Sequence, residues 1–159
     1  MTCVKLEIGG GHRPRHGYIN IDVRDIPTVD VVVSDWHLPM YADNSVDEVL
    51  SIHVLEHFVV DTAMLVLYEW LRILKPGGSL ILCVPCLDRI VNNWGGRELR
   101  ACEHTFGAID QPGFDHKAFW TSDRLKEAVN LIGFSSVVEE PYEFPIHQKD
   151  WTIRLQCIK

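Results

Sequence analysis

Nowhere in the sequence is there an unbroken apolar run of about 18 residues, the length a membrane-spanning helix needs, so no membrane association is expected. Basic excess is missing too. Fifteen Lys and Arg against 22 Asp and Glu leave a net charge of −7, which argues against binding a phosphate backbone, so no nucleic-acid partner is expected. There is no internal repeat, low-complexity tract or linker, and the 159 residues are read as one domain, 1–159. Cysteine is sparse and unpatterned: Cys3, Cys83, Cys86, Cys102 and Cys157 are an odd number in apolar surroundings, read as reduced thiols. Cys83 and Cys86, with Cys102 and His104 beyond, invite a zinc reading. Yet Cys83 ends an apolar strand, and residues three apart on a strand face opposite ways, so no metal site is expected. The opening "MTCVKLEIGG" runs into a strand without a leader-like segment, and a cytoplasmic protein is the expectation.

What is present alternates between strand and helix, which argues for α/β with a mainly parallel sheet. "CVKLEI", "YINIDV", "VDVVVSD" and "SVDEVLSIHV" read as four strands. "DTAMLVLYEWLRILKPGG" reads as a helix with Leu67, Trp70, Leu71 and Leu74 on its apolar stripe and Glu69, Arg72 and Lys75 off it. Asp61 or Thr62 is its expected cap and the KPGG segment its stop. "SLILCVP" follows as a fifth strand. Cys86 to Thr121 shows no strong period and, at that length, reads as a functional segment. "TSDRLKEAVNLIGF" is helical, capped by Thr121 or Ser122 and stopped at Gly133. "SSVVEEPYEF" and "DWTIRLQCIK" form an antiparallel pair joined through "PIHQ".

The first strand ends in Gly9, Gly10 and Gly11, where an open α/β sheet places its ligand and where the backbone must turn sharply. Asp22 closes the second strand, suited to accept hydrogen bonds from ribose hydroxyls. Between them lies only "HRPRHG", with no room for the helix that normally follows such a turn.

With "LEIGGG", "INID", "DWHLPMYADNSVDEVLSIHVLEHF" and "LRILKPGGSLILCVP", the chain resembles the class I S-adenosylmethionine-dependent methyltransferases over essentially its whole length. More narrowly, it resembles a compact prokaryotic type with a G-W/Y-I-N-x-D second strand. The resemblance implies a Rossmann-like sheet in the order 3-2-1-4-5-7-6 with strand 7 antiparallel, here lacking the helix between strands 1 and 2. It implies S-adenosylmethionine as cofactor. Glu7, Gly9 and Gly11 would lie along its methionine part, and Asp22 would hold the ribose. Asp35 would accept from the adenine amino group, with Trp36 and Leu38 flanking the ring and Ile52 and His53 beside the methyl. With no helix N-terminus at the turn, the cofactor carboxylate would meet backbone amides and Arg13 or Arg15, and weak affinity is expected for an isolated monomer.

Methyl transfer needs the acceptor held in line and, for a hydroxyl, a general base. His57, His104 and His116 are the candidates. Small-molecule or saccharide-type acceptors are implied by the resemblance alone. Two rivals stand beside this reading. "HVLEH" also fits the H-x-x-E-H pattern of a zinc hydrolase, with His53 and His57 as ligands and Glu56 as base, but the strand-like residues before it put His53 ahead of any helix. The other rival is a non-catalytic partner subunit whose aromatic segment around Trp94, Phe106, Phe114 and Trp120 docks another chain. A homodimer is the oligomeric expectation, because the chain's first strand has no helix before it to cover the sheet.

Overall fold

In a computed structural model, which describes residues 3–108, 111, 113–145 and 149–159, seven strands form one sheet in the order β3-β2-β1-β4-β5-β7-β6. β1 (Lys5–Ile8), β2 (Ile19–Asp22), β3 (Val31–Val32), β4 (Val46–Ile52) and β5 (Leu74–Pro85) run parallel. β7 (Thr152–Ile158) is antiparallel to both β5 and β6 (Ser136–Glu140). This is the expected order and orientation. The Pro-Ile-His-Gln connection falls at residues 145–148, of which only Pro145 is among the described residues.

α1 (Val60–Ile73) crosses back from β4 to β5 with Val66, Leu67, Trp70 and Ile73 buried, and α4 (Ser122–Ile132) adds Leu125 and Val129 to the same core. Thr121 caps α4 by accepting from the Arg124 amide, and Gly133 closes it in the left-handed conformation at φ +116°, both as expected. On a separate apolar cluster, Leu50, Ile52 and Cys83 pack with Tyr142.

Four local expectations are corrected. The cap of α1 is Val59, with no side-chain hydrogen bond, and Asp61 and Thr62 lie inside the first turn. Strand β5 begins at Leu74 and includes the KPGG residues, with its register against β4 shifting between Val46 and Glu48, where Lys75 pairs with Asp47 at 2.7 Å. Glu69 is not on the solvent face: it is 3 % exposed. The 86–121 segment holds two helices, α2 (Leu87–Asn93) and α3 (Glu98–Phe106). Trp151 clamps them from the far end of the chain, packing with Ile90 and Ala101 and donating its indole N–H to the Asn93 carbonyl at 3.1 Å.

No helix forms between β1 and β2, and side chains from both strands do its work on the turn. Arg15 gives its amide and its guanidinium to Glu7, each at 2.6 Å. Asn20 Nδ2 and Thr28 Oγ1 both donate to the Gly11 carbonyl, at 3.1 and 2.7 Å, and the Gly11 amide donates to Asp22 at 3.1 Å. The turn is therefore held without the hydrogen-bond ladder a helix supplies.

Candidate functional site

At the carboxyl ends of β1 to β4 lies a cleft of about 470 Å³, within the range of ligand sites. Its walls are apolar: Ile8, Ile21, Trp36, Leu38, Phe58 and Trp70. Asp22, Asp35, His53 and His57 also line it. A second hollow of about 270 Å³ is lined by Glu7, Gly9, Gly10, Gly11, Arg13, Arg15, Arg24 and Ile52. Every predicted cofactor-binding position thus lines one of these two spaces, and Gly9 and Arg24 line both.

Gly9 makes the bend between them. Its φ is +74°, its amide donates to the Ile21 carbonyl at 2.7 Å, and a Cβ there would overlap Val54 Cγ2. Only glycine satisfies both constraints. His53, at φ +55°, holds a left-handed backbone as β4 ends, a conformation that costs a non-glycine residue roughly 1–2 kcal/mol.

The two key carboxylates differ. Asp22 is 5 % exposed and already engaged: Arg24 Nε reaches Oδ1 at 2.9 Å and Arg24 Nη2 reaches Oδ2 at 2.8 Å. Burial pushes its pKa up, but the hydrogen bonds and charge of Arg24 with the Gly11 amide outweigh it and hold the group below the ordinary carboxylate range. Asp35 is exposed and accepts from the His37 amide at 2.8 Å in an Asx turn, leaving its other oxygen for a ligand. The loop carrying Asp35, Trp36 and Leu38 is held by Glu69, a residue that in the sequence lies off the apolar stripe of its helix. Glu69 accepts from the Leu38 amide at 2.8 Å and pairs with Arg72 at 2.7 Å, while Arg72 also donates to the Leu38 carbonyl at 3.2 Å.

Of the three candidate bases, His57 alone lines the main cleft, its Nδ1 3.0 Å from the Asp115 carbonyl. His104 and His116 line a small crevice behind it. Burial, reinforced by His53 and His116, pulls the His104 pKa down to about 4, so its imidazole is neutral at physiological pH. All three lie around the buried carboxylate of Glu56, which the sequence offers only as the base of the hydrolase motif. His53 Nδ1 lies 3.1 Å from Glu56 Oε1 and His116 Nε2 3.9 Å from it. Leu55–His57 form a single 3-10 turn after the strand, so His53 and His57 do not stack on one helix face, as the hydrolase motif would require. Among the described residues, no cysteine belongs to a metal-ligand cluster.

The cleft offers apolar side chains to a ring and the carboxylates of Asp22 and Asp35 to hydroxyl or amino donors. The hollow beyond Gly9 offers Arg13 and Arg15 to a carboxylate and Glu7 to an ammonium.

Residues 15–82, less than half of the chain, match the methyltransferase-domain family. No curated protein matches the sequence. Solved structures do match its fold. A SAM-dependent methyltransferase from Archaeoglobus fulgidus aligns at TM-score 0.66 and 16 % identity, over 99 % of this chain and 86 % of that one. One from Thermotoga maritima, a possible histamine N-methyltransferase, aligns at 0.68 and 19 %, over 98 % and 82 %. A chain from the complex of the Haloferax volcanii Trm112 methyltransferase activator with a candidate methyltransferase aligns at 0.63 and 16 %, over 99 % and 82 %. Strand order and these likenesses together show that the chain has the fold of class I S-adenosylmethionine-dependent methyltransferases.

Proposed function

We propose that this protein binds S-adenosylmethionine across the two adjoining spaces and catalyses transfer of its methyl group to a small-molecule or saccharide-type acceptor. The observation that carries the reading is the apolar cleft with Asp22 and Asp35 on its lining, which shares Gly9 and Arg24 with a hollow bearing Glu7, Arg13 and Arg15. When bound, the cofactor supplies a methyl already activated by its sulfonium, so the chain's own task is positioning.

In this reading Asp22 accepts from the ribose hydroxyls, for which Arg24 must yield at least one carboxylate oxygen. Asp35 accepts from the adenine amino group, with Trp36 and Leu38 against the ring. Glu7, Gly9 and Gly11 border the methionine part, and Ile52 and His53 stand beside the methyl. His57, on the cleft wall, takes the acceptor's proton, its Nδ1 oriented by the Asp115 carbonyl.

A second reading has its own support. Trp94, Leu99, Phe106, Phe114 and Phe119 are exposed along the 87–119 segment, a surface suited to another subunit, whereas Trp120, grouped with them in the sequence, is buried in the core; a structural neighbour comes from a complex with a methyltransferase activator. Transfer of a labelled methyl group from the cofactor to small hydroxylated acceptors, including sugars, distinguishes the two. Product formed by the chain alone supports catalysis, and its absence across acceptors despite cofactor binding supports the subunit reading.

A further inference from the structure

Beneath the cleft wall, three side chains from distant parts of the sequence bring their donor atoms together. One carboxylate oxygen of Glu56 and one ring nitrogen each of His57 and His116 all lie within 4.8 Å of one another. The 3-10 turn that carries Glu56 and His57 is tied to the strand-like segment carrying His116, because the Glu56 carbonyl accepts from the amides of Lys117 and Ala118 at 2.8 and 3.1 Å.

Three further observations point to a ligand rather than to packing. Glu56 is 1 % exposed, and neither of its oxygens has a partner of hydrogen-bond geometry among the described residues, although His53 Nδ1 approaches one to 3.1 Å. The His53 contact offsets part of the cost of burying this carboxylate, and Oε2 is left with no partner among the described residues. Each histidine of the trio also has its Nδ1 against a main-chain carbonyl, His57 on Asp115 at 3.0 Å and His116 on Thr105 at 3.1 Å. That arrangement fixes the tautomer and leaves Nε2 as the electron-pair donor, as metal-binding histidines have it. Finally, His57 is shared with the cleft, so the trio opens on the space where an acceptor would lie.

We propose that Glu56, His57 and His116 form a binding site for one divalent first-row transition-metal cation. Two imidazoles and a carboxylate suit zinc, cobalt, manganese or iron(II) better than magnesium or calcium, which prefer all-oxygen shells. Ligation at about 2.1 Å draws tetrahedral donors to roughly 3.4 Å apart, so a trio whose donors lie within 4.8 Å of one another closes by at most about 1.4 Å on binding. Three protein ligands leave at least one position open, on which the ion would polarise an oxygen of the acceptor; with Nε2 ligated, this replaces the role of His57 as free base. That last role rests on the methyl-transfer reading; the metal site does not. It departs from the sequence reading, in which His53 and His57 were the candidate ligands of a hydrolase and no metal was expected. The third donor is His116, 59 residues after His57, and Glu56 is a ligand rather than a base.

Cobalt(II) is the probe. Purified chain stripped with chelator is titrated with cobalt chloride and followed by visible absorption, with zinc affinity then read by competition. The expected result is one cobalt per chain with a saturable visible band. His57→Ala, His116→Ala and the near-isosteric Glu56→Gln should each weaken binding by at least the 10- to 100-fold that loss of an outer-shell partner costs. Circular dichroism checks that each variant is folded, and Glu56→Gln keeps the test open if an alanine variant is not. No saturable band, or equal binding by folded Glu56→Gln, overturns the site. Cofactor titration of the same samples separates this from the functional reading: cofactor binding without cobalt binding sinks the metal site alone, and cobalt binding without cofactor binding sustains the metal site and removes its role toward the acceptor.

Discussion

Arg24 grips the carboxylate of Asp22, two residues before it, through Nε at 2.9 Å and Nη2 at 2.8 Å, at the point of the cleft where a ribose would bind. The guanidinium is partly exposed and lies over the Phe114 ring, 5.8 Å from its centroid, so it has an outward path. Ribose hydroxyls and Arg24 therefore compete for the same acceptors. Arg24→Ala should tighten cofactor binding, by about 5-fold if the partly exposed pair contributes about 1 kcal/mol. Asp22→Asn should weaken it by at least about 10-fold, since hydrogen bonds to a charged group contribute about 1.5–3 kcal/mol. Calorimetric titration of both variants checks the opposite signs.

Glu69 tests whether the Asp35–Leu38 loop is preformed. Glu69→Ala leaves the Leu38 amide without its acceptor and the Arg72 guanidinium with Asp43 as its one remaining carboxylate. The expected loss is about 2–3 kcal/mol of stability in denaturant unfolding. Cofactor affinity should fall too, although Glu69 does not line the cleft. Unchanged affinity in a folded variant would show that the loop holds its shape without this anchor.

Gly9→Ala separates two costs at the bend. Overlap with Val54 should destabilise by about 1–3 kcal/mol and the left-handed backbone by about 1–2 kcal/mol more. Adding Val54→Ala removes the overlap and leaves the backbone cost. Unfolding midpoints should therefore recover partly in the double variant, and full recovery would contradict the assignment of strain to φ.

The sheet was legible in the sequence because each parallel strand carries its own β-branched or apolar run, bounded by glycine, proline or a cap. Val46 to Ile52 and the residues from Leu80 to Pro85 needed no long-range information. Helices α2 and α3 did not show, since α3 buries only Ala101, against Trp151, a contact 50 residues distant with no trace in local periodicity. The positions that the resemblance assigns to the cofactor all line the cleft or the neighbouring hollow, on or just beyond strand ends, where this topology opens a crevice. Glu69 was misplaced because a single buried carboxylate on a helix looks like a surface residue until its partner, the Leu38 amide 31 residues earlier, is in view. The Glu56 trio stayed hidden for the same reason, His116 being delivered by main-chain pairing rather than by spacing.

Acid should unfold the protein in a window that His104 helps set. Burial, with His53, His116 and Arg100 adding to it against the pull of Glu56, depresses its folded pKa from 6.5 to about 4. The unfolded chain then binds the extra proton between those values, so stability is intact above about pH 6.5 and is lost as pH falls toward 4. Depressed carboxylates such as Asp22, Glu69 and Glu139 add a further loss below the ordinary carboxylate range. In chelator-treated samples, His104→Gln should flatten the melting-temperature decline between pH 6.5 and 4 by several °C, on the order of a kcal/mol or more. An unchanged slope would mean His104 titrates normally.

The central claim is that the cleft between Asp22 and Asp35 is a nucleoside site. Calorimetric titration of the purified chain with S-adenosylmethionine and with its demethylated product tests it most directly. The account predicts one site per chain, weak rather than submicromolar for a monomer because no helix N-terminus meets the cofactor carboxylate, and weaker still by at least about 10-fold in Asp22→Asn. No heat of binding from folded protein, or equal binding by wild type and Asp22→Asn, would contradict it.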